Sequence, residues 1–236
     1  MLNQHKRFQL ARAWWHDGGM PCSCCAGESL DIFGERGARR ELRRYLRDGL
    51  GGDDAKVIAA WAEEGGLAGA TVVEIGGGIG QIQGELVRRG AASGTVVEVV
   101  AAYAKPAAEL AEAVGIAGRS TFLLADVLED ASGVAPADIV VLRRVVCCSP
   151  HGPALLGIAA GKARRTVLAS YPRDRAVNRA FSRLENLFFR VVRRRYRSFV
   201  HRPDELDRAA ARNGLRRMRT SRGVVWETAQ FEAPSS

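Results

Sequence analysis

The chain has no uninterrupted apolar run approaching the roughly eighteen residues that a membrane-crossing helix needs, so a transmembrane span is not indicated. Its opening stretch, MLNQHKRFQLARAWWHDGG, lacks a continuous apolar segment and a small-residue cleavage signature; a secretory signal is not expected, and the cytoplasm is the expected compartment. Cysteine is sparse and odd in number, 5 residues in two clusters (Cys22, Cys24, Cys25 and Cys147, Cys148), which argues against a disulfide framework. Cys22 and Cys25 stand three apart, but no second such pair follows, so the paired spacing of an ordinary structural zinc site is absent as well. Internal repeats and low-complexity segments are also missing.

What is present is a 236-residue chain of ordinary globular composition with a formal net charge of +9. The excess is uneven: arginines crowd positions 164–222, where few acids balance them. Such a region suits nucleic acid, an anionic surface, or a carboxylated or phosphorylated small substrate, or it is a compositional habit. No nucleic-acid recognition motif accompanies the charge, and the fourth strand ends in VLRRVVCC rather than in an Asn-Pro-Pro-Tyr-like tetrad, so nucleic acid is the weaker expectation.

Residues 1–54 are predicted to form a helical cap or lid carrying the first cysteine cluster, with Leu42, Tyr45, Leu46 and Leu50 on one side of a helix. DAKVIAAWAEEGG follows as a helix with Asp53 or Asp54 at its N-cap. From Thr71 a strand–helix alternation begins: TVVEI, GQIQGELVRRG, TVVEVV, YAKPAAELAEAVGI, STFLLADV, ADIVVLRRVVCC, SPHGPALLGIAAGKA, RTVLASYP. A long helix over DRAVNRAFSRLENLFFRVVRRRYRSFV, a shorter helix and a closing strand pair complete the chain. Alternation of this kind predicts an α/β fold with a doubly wound, mainly parallel sheet over 55–236.

VVEIGGGIGQI, Val72 to Ile82, is the most informative stretch. No Lys-Ser/Thr pair follows its glycines, which excludes a P-loop, and neither register places glycine at the third position of G-x-G-x-x-G. The pattern present is Glu-x-Gly-x-Gly-x-Gly: Glu74, Gly76, Gly78 and Gly80, with Gly77 between. A carboxylate at the strand end repels a pyrophosphate and attracts an ammonium group, such as that of a methionine moiety. Glu98 ends the next strand, where an acid accepts hydrogen bonds from ribose hydroxyls, and Asp126 ends the third, where it could accept from an adenine amino group.

On these residues the chain resembles the class I S-adenosylmethionine-dependent methyltransferases over about residues 55–169. The resemblance implies a Rossmann-like seven-stranded sheet and S-adenosyl-L-methionine as cofactor, leaving as S-adenosyl-L-homocysteine. It implies that Glu74 contacts the methionine part, Gly76, Gly77, Gly78 and Gly80 let the backbone approach, Glu98 and Val99 hold the ribose, and Asp126 and Val127 bracket the adenine. SYPRDRAVNRAFSRLENLFFRVVRRRYRSFVHRPDEL resembles the substrate-covering insertion of magnesium-protoporphyrin O-methyltransferases and their bacterial relatives, which marks 174–200 as a covering segment. Those relatives often read LDRVICCYP where this chain reads LRRVVCCSP, so Arg143, at the rim where cofactor and substrate meet, replaces an acid and Ser149 an aromatic residue.

Methyl transfer from a sulfonium is an in-line displacement that needs alignment and exclusion of water more than a dedicated acid or base. His151 is the best-placed base by sequence position. Tyr45 and Tyr171 are candidate substrate contacts, and Arg144, Arg173 and one of residues 193–197 are candidates for binding an anionic small molecule. The expected substrate is a small molecule with an oxygen or nitrogen nucleophile; the alternatives are a thiol or soft metalloid acceptor using the cysteine clusters, an RNA substrate, or a non-catalytic cofactor- or metal-binding module. Cys22, Cys24 and Cys25 are candidate ligands for a soft metal or metalloid, whereas Cys147 and Cys148 are expected as buried residues at a strand end.

Overall fold

A computed structural model describes residues 33–234. Its elements are, in order, α1 (Glu35–Asp48), α2 (Asp53–Glu64), β1 (Thr71–Ile75), α3 (Gln81–Arg88), β2 (Ser93–Glu98), α4 (Ala104–Ala113), β3 (Ser120–Leu124), β4 (Ala137–Arg143), α5 (Gly152–Lys162), β5 (Ala163–Pro172), α6 (Ala176–Val191), α7 (Pro203–Ala211), β6 (Arg216–Arg222) and β7 (Trp226–Glu232). The strands form one seven-stranded sheet in the order β3-β2-β1-β4-β5-β7-β6. β1 to β5 pair in parallel, and β7 runs antiparallel to both β5 and β6. The expected doubly wound α/β architecture with a closing antiparallel pair is therefore observed.

β-branched residues explain the centre of the sheet. Val72 and Val73 in β1, and Ile139, Val140 and Val141 in β4, are buried from both sides. α5 and α7 cover one face through Leu155, Leu156 and Leu206 against Leu142 and Phe231. α2 and α3 cover the other through Ile58, Ile82 and Leu86 against Val72, Ile139 and Leu168. α1 joins a third cluster, in which Ala38, Leu42 and Tyr45 meet Ile79, Tyr103 and Leu110. Strand order reverses between β1 and β4, and a crevice outside the carboxyl ends of the strands opens at such a switch point.

Four local departures from the sequence reading have physical causes. Leu46 is 51% exposed, because the buried side of α1 runs through Ala38, Leu42 and Tyr45 instead. Gly52 takes the N-cap of α2 with φ 92, which leaves Asp53 and Asp54 in the first turn. β4 ends at Arg143; Arg144 adopts φ 54 and turns the chain, so Cys147 and Cys148 lie on a single 3-10 turn (Val146–Cys148) beyond the strand. The expected long helix stops at Val191, where Arg193 adopts φ 56 and the Arg194 N–H bonds the Phe189 carbonyl at 2.7 Å; the remainder to residue 200 is irregular.

Candidate functional site

β1 delivers Glu74 and then the glycines. Glu74 is 2% exposed, and its carboxylate accepts the Gln83 N–H at 2.9 Å in the first turn of α3. A helix N-terminus stabilises a carboxylate there, yet burial prevails and pushes Glu74 up to about 7. Gly76 turns with φ 65, and a Cβ on it would lie 2.3 Å from Val145 Cγ2, so neither the backbone angle nor the space admits a side chain. Gly80 plays a different part from its expected one. It caps α3 in the left-handed region, a Cβ on it would lie 2.4 Å from Val96 Cγ2, and it does not line the cavity. It permits close helix–strand packing.

β2 delivers Glu98, which knits the loop together. One carboxylate oxygen accepts the Val99 and Val100 N–H groups at 2.8 and 3.0 Å, and the other accepts the Gly78 N–H at 3.0 Å. Burial raises its pKa against these three bonds. Just past β3, Asp126 accepts the Leu128 N–H at 2.9 Å. Glu74, Glu98 and Asp126 converge on one cavity of about 760 Å³, together with Gly76, Gly77, Gly78, Val99 and Val127. Each carboxylate oxygen has two lone-pair positions, so the Glu98 oxygen bonded to Gly78 keeps one for a further donor.

The facing wall comes from α1. Gly37, Arg40, Glu41 and Arg44 recur at helical spacing and line the cavity, with Phe33 and Tyr103 beside them. Glu41 accepts a hydrogen bond from the Gln81 side-chain amide, and burial raises its pKa. These residues were missed in the sequence. The signal was there, since one side of α1 packs and the adjacent side carries a polar i, i+3, i+4, i+7 row, but arginines along a helix ordinarily read as a solvated face.

The end of β4 forms the rim. Arg143 and Arg144 both line the cavity, and both bond Asp54: Arg143 Nε at 3.1 Å, Arg144 Nε at 2.8 Å and Arg144 NH2 at 2.7 Å. Arg143 also reaches the Gly51 carbonyl at 2.7 Å, and Arg144 lies over the Trp226 ring at 4.5 Å. Burial raises the Asp54 pKa and the two guanidiniums more than reverse this, so it sits below its ordinary value. The arginines are thus spent in part on tying α2 to the sheet. Beyond them, Cys148 and Ser149 line the cavity, whereas Cys147 is buried beneath.

Several expected site residues lie elsewhere. His151 is exposed, occupies the N-cap of α5 without a side-chain bond, and does not line the cavity. Tyr45 is buried in the α1 cluster and donates to Glu85 at 3.0 Å, a partner held down to about 2 chiefly by its bond to Arg88. Tyr171 is buried in β5, its hydroxyl shared between Arg217 and Glu227. Arg173 donates to the Gly223 carbonyl at 2.9 Å, and neither it nor any of residues 193–197 lines the cavity. Cys22, Cys24 and Cys25 fall outside the described residues, among which no metal-ligating cluster forms. No described helix is long and apolar enough to cross a membrane.

Part of the arginine excess in the C-terminal third is paired within the chain. Arg208 pairs with Asp204, Arg217 with Asp207 and Glu227, Arg219 with Glu64, and Arg222 with Glu227. A glycine loop after β1, acids at three neighbouring strand ends and a β5-β7-β6 edge occur together in one sheet. This is the fold of the class I methyltransferases. Magnesium protoporphyrin IX methyltransferase from Synechocystis PCC 6803, solved with bound SAH, is similar at TM-score 0.66 and 20% identity over 86% of this chain and 97% of that one. An O-methyltransferase family protein from Burkholderia thailandensis gives TM-score 0.67 and 18% identity over 89% of this chain and 68% of that one. An O-methyltransferase family 2 protein from Planctomyces limnophilus DSM 3776, in complex with apigenin, gives 0.60 and 17% over 84% and 61%. No family profile and no curated sequence matches the chain.

Proposed function

We propose that the protein is an S-adenosylmethionine-dependent methyltransferase acting on a small molecule through an oxygen or nitrogen nucleophile. The observation that carries this reading is the convergence of Glu74, Glu98 and Asp126, from the ends of three adjacent parallel strands, on one cavity beside Gly76, Gly77 and Gly78. The donor set fits the cofactor: a buried carboxylate for an ammonium, an accepting carboxylate for ribose hydroxyls, an acid and an apolar neighbour, Val127, for adenine. The cofactor supplies an electrophilic methyl on sulfur.

The chain's own residues position, orient and exclude water. Glu98 holds the glycine loop and the ribose subsite in one register, and Asp54 fixes the rim arginines Arg143 and Arg144. The facing side of α1 acts as the acceptor wall, where Arg40 and Arg44 are placed to bind an anionic part of the substrate. Residues 33–54 and 174–200 serve as the cover. With His151 outside the cavity, alignment rather than a histidine base is the source of rate. The pairing of the C-terminal arginines favours a small molecule over nucleic acid.

The test is calorimetric titration with S-adenosylhomocysteine, followed by labelled methyl transfer to a panel of phenols, carboxylic acids and amines. Micromolar cofactor binding with transfer to at least one acceptor is expected. No binding at millimolar ligand would sink the methyltransferase reading.

A further inference from the structure

Cys147 and Cys148 have no part in the chemistry described so far, and their setting is unusual. The turn that carries them begins at Arg144, a non-glycine residue at φ 54, a strained conformation that persists only where its surroundings enforce it. Here they do: Asp54 grips its guanidinium, Trp226 supports it, and its N–H bonds the Ser170 carbonyl at 3.0 Å. Held in this way, the Arg144 carbonyl faces both thiols, and each sulfur lies 3.4 Å from that oxygen. Both sulfurs thus gather at one carbonyl oxygen, with the Cys147 and Cys148 side chains in hydrogen-bonding contact. They are thiols, not a disulfide. Cys148 opens on the cavity and Cys147 backs it. Tyr196 closes the far side with its hydroxyl 3.8 Å from Cys148 Sγ, and its ring is packed edge-on by Phe33 and Phe189.

We propose that Cys147 and Cys148 form a dithiol site, at the rim of the cavity, for a trivalent arsenical. Two adjacent soft donors beside an aromatic wall suit a soft trivalent centre better than a hard cation. With phenylarsine oxide both S–H bonds and the As=O bond break and two S–As bonds form. The two protons and the oxygen leave as one water, and arsenic stays trivalent. The site does not depend on the methyltransferase reading.

The test uses the full-length chain with Cys22, Cys24 and Cys25 changed to Ser, so that only the pair remains. Reduced protein is treated with phenylarsine oxide and followed by intact mass spectrometry, with S-adenosylhomocysteine binding and circular dichroism read in parallel as checks on the fold. The expected result is one phenylarsine per chain that survives excess 2-mercaptoethanol and is stripped by 2,3-dimercaptopropanol. Cys147→Ser and Cys148→Ser should each lose the monothiol-resistant adduct while the circular dichroism spectrum is retained. No adduct on folded protein, or an adduct removed by the monothiol, overturns the proposal, as does a resistant adduct in either single variant. Failure of cofactor binding with a normal adduct would count only against the methyltransferase reading.

Discussion

The Gly78 N–H donates to the Glu98 carboxylate at 3.0 Å, so the loop after β1 and the acid at the end of β2 are one hydrogen-bonded unit. Removing the carboxylate does two things: it takes an acceptor from the ligand and leaves three backbone donors without their partner. Glu98→Ala is expected to weaken S-adenosylhomocysteine binding by about 1–3 kcal/mol, measured by calorimetry. Unchanged affinity would remove Glu98 from the ribose subsite.

Glu74 makes the site pH-sensitive. Below 4.5 its carboxyl is protonated in folded and unfolded chains alike and has no effect on stability. As pH rises from there through about 7, the unfolded chain ionises first and the folded one holds its proton, so folding stability falls. The loss is of order 3 kcal/mol in full. A ligand ammonium favours the ionised form, so S-adenosylhomocysteine should bind more tightly as pH rises through about 7. Glu74→Gln should flatten that dependence and leave the ligand-free protein more stable than the parent near pH 8. Denaturation and calorimetry at mildly acidic and mildly alkaline pH read both effects. A parallel pH dependence in the variant would remove Glu74 from the ammonium subsite.

The floor of the site was legible in the sequence, and the roof was not. Glu74, Glu98 and Asp126 are each placed by their strand, and strands announce themselves through β-branched runs such as TVVEI; once the strands are known, so is the edge that their acids share. Arg40, Glu41 and Arg44 depend on how α1 docks, which its apolar side alone does not dictate. His151 shows the opposite failure: a position just past β4 suggests nearness, and Cys148 and Ser149 do line the cavity, but the histidine at the N-cap of α5 is exposed outside it. Tyr45 was expected to touch substrate, but it packs with Ala38 and Leu42 on the buried side of α1, where Glu85 takes its hydroxyl.

Asp54 anchors two guanidiniums from a buried position, its side chain only 3% exposed. Asp54→Ala leaves both without their carboxylate and is expected to cost about 3 kcal/mol, seen as a lower denaturation midpoint. Its depressed pKa gives the same interaction a pH signature. The stability is present above the ordinary carboxylate range and is lost as pH falls through the folded value. An unaltered midpoint would show that the clamp contributes nothing.

His151→Ala should leave cofactor affinity and methyl transfer within about twofold, as for an exposed residue away from special contacts. A loss of tenfold or more in transfer, with binding intact, would restore the histidine as a base.

Gly76→Ala should be far more harmful than its size suggests. The φ of 65 is unsuited to alanine, and the new methyl would meet Val145 at 2.3 Å. Loss of cofactor binding together with a lowered melting temperature is expected; a stable, fully binding variant would contradict the close approach of loop and rim.

The wall contributed by α1 has a consequence for how such a protein could change its substrate. Gly37, Arg40 and Arg44 bear no hydrogen bonds to the strand-end acids, while Leu42 and Tyr45 hold the helix in place from its other side. Anchorage and selectivity are thus written on separate stripes of a single helix. The three cavity-facing positions can be rewritten for a new ligand without unsettling either the glycine loop or the sheet, which makes this stripe the natural starting point for altering what the cavity accepts.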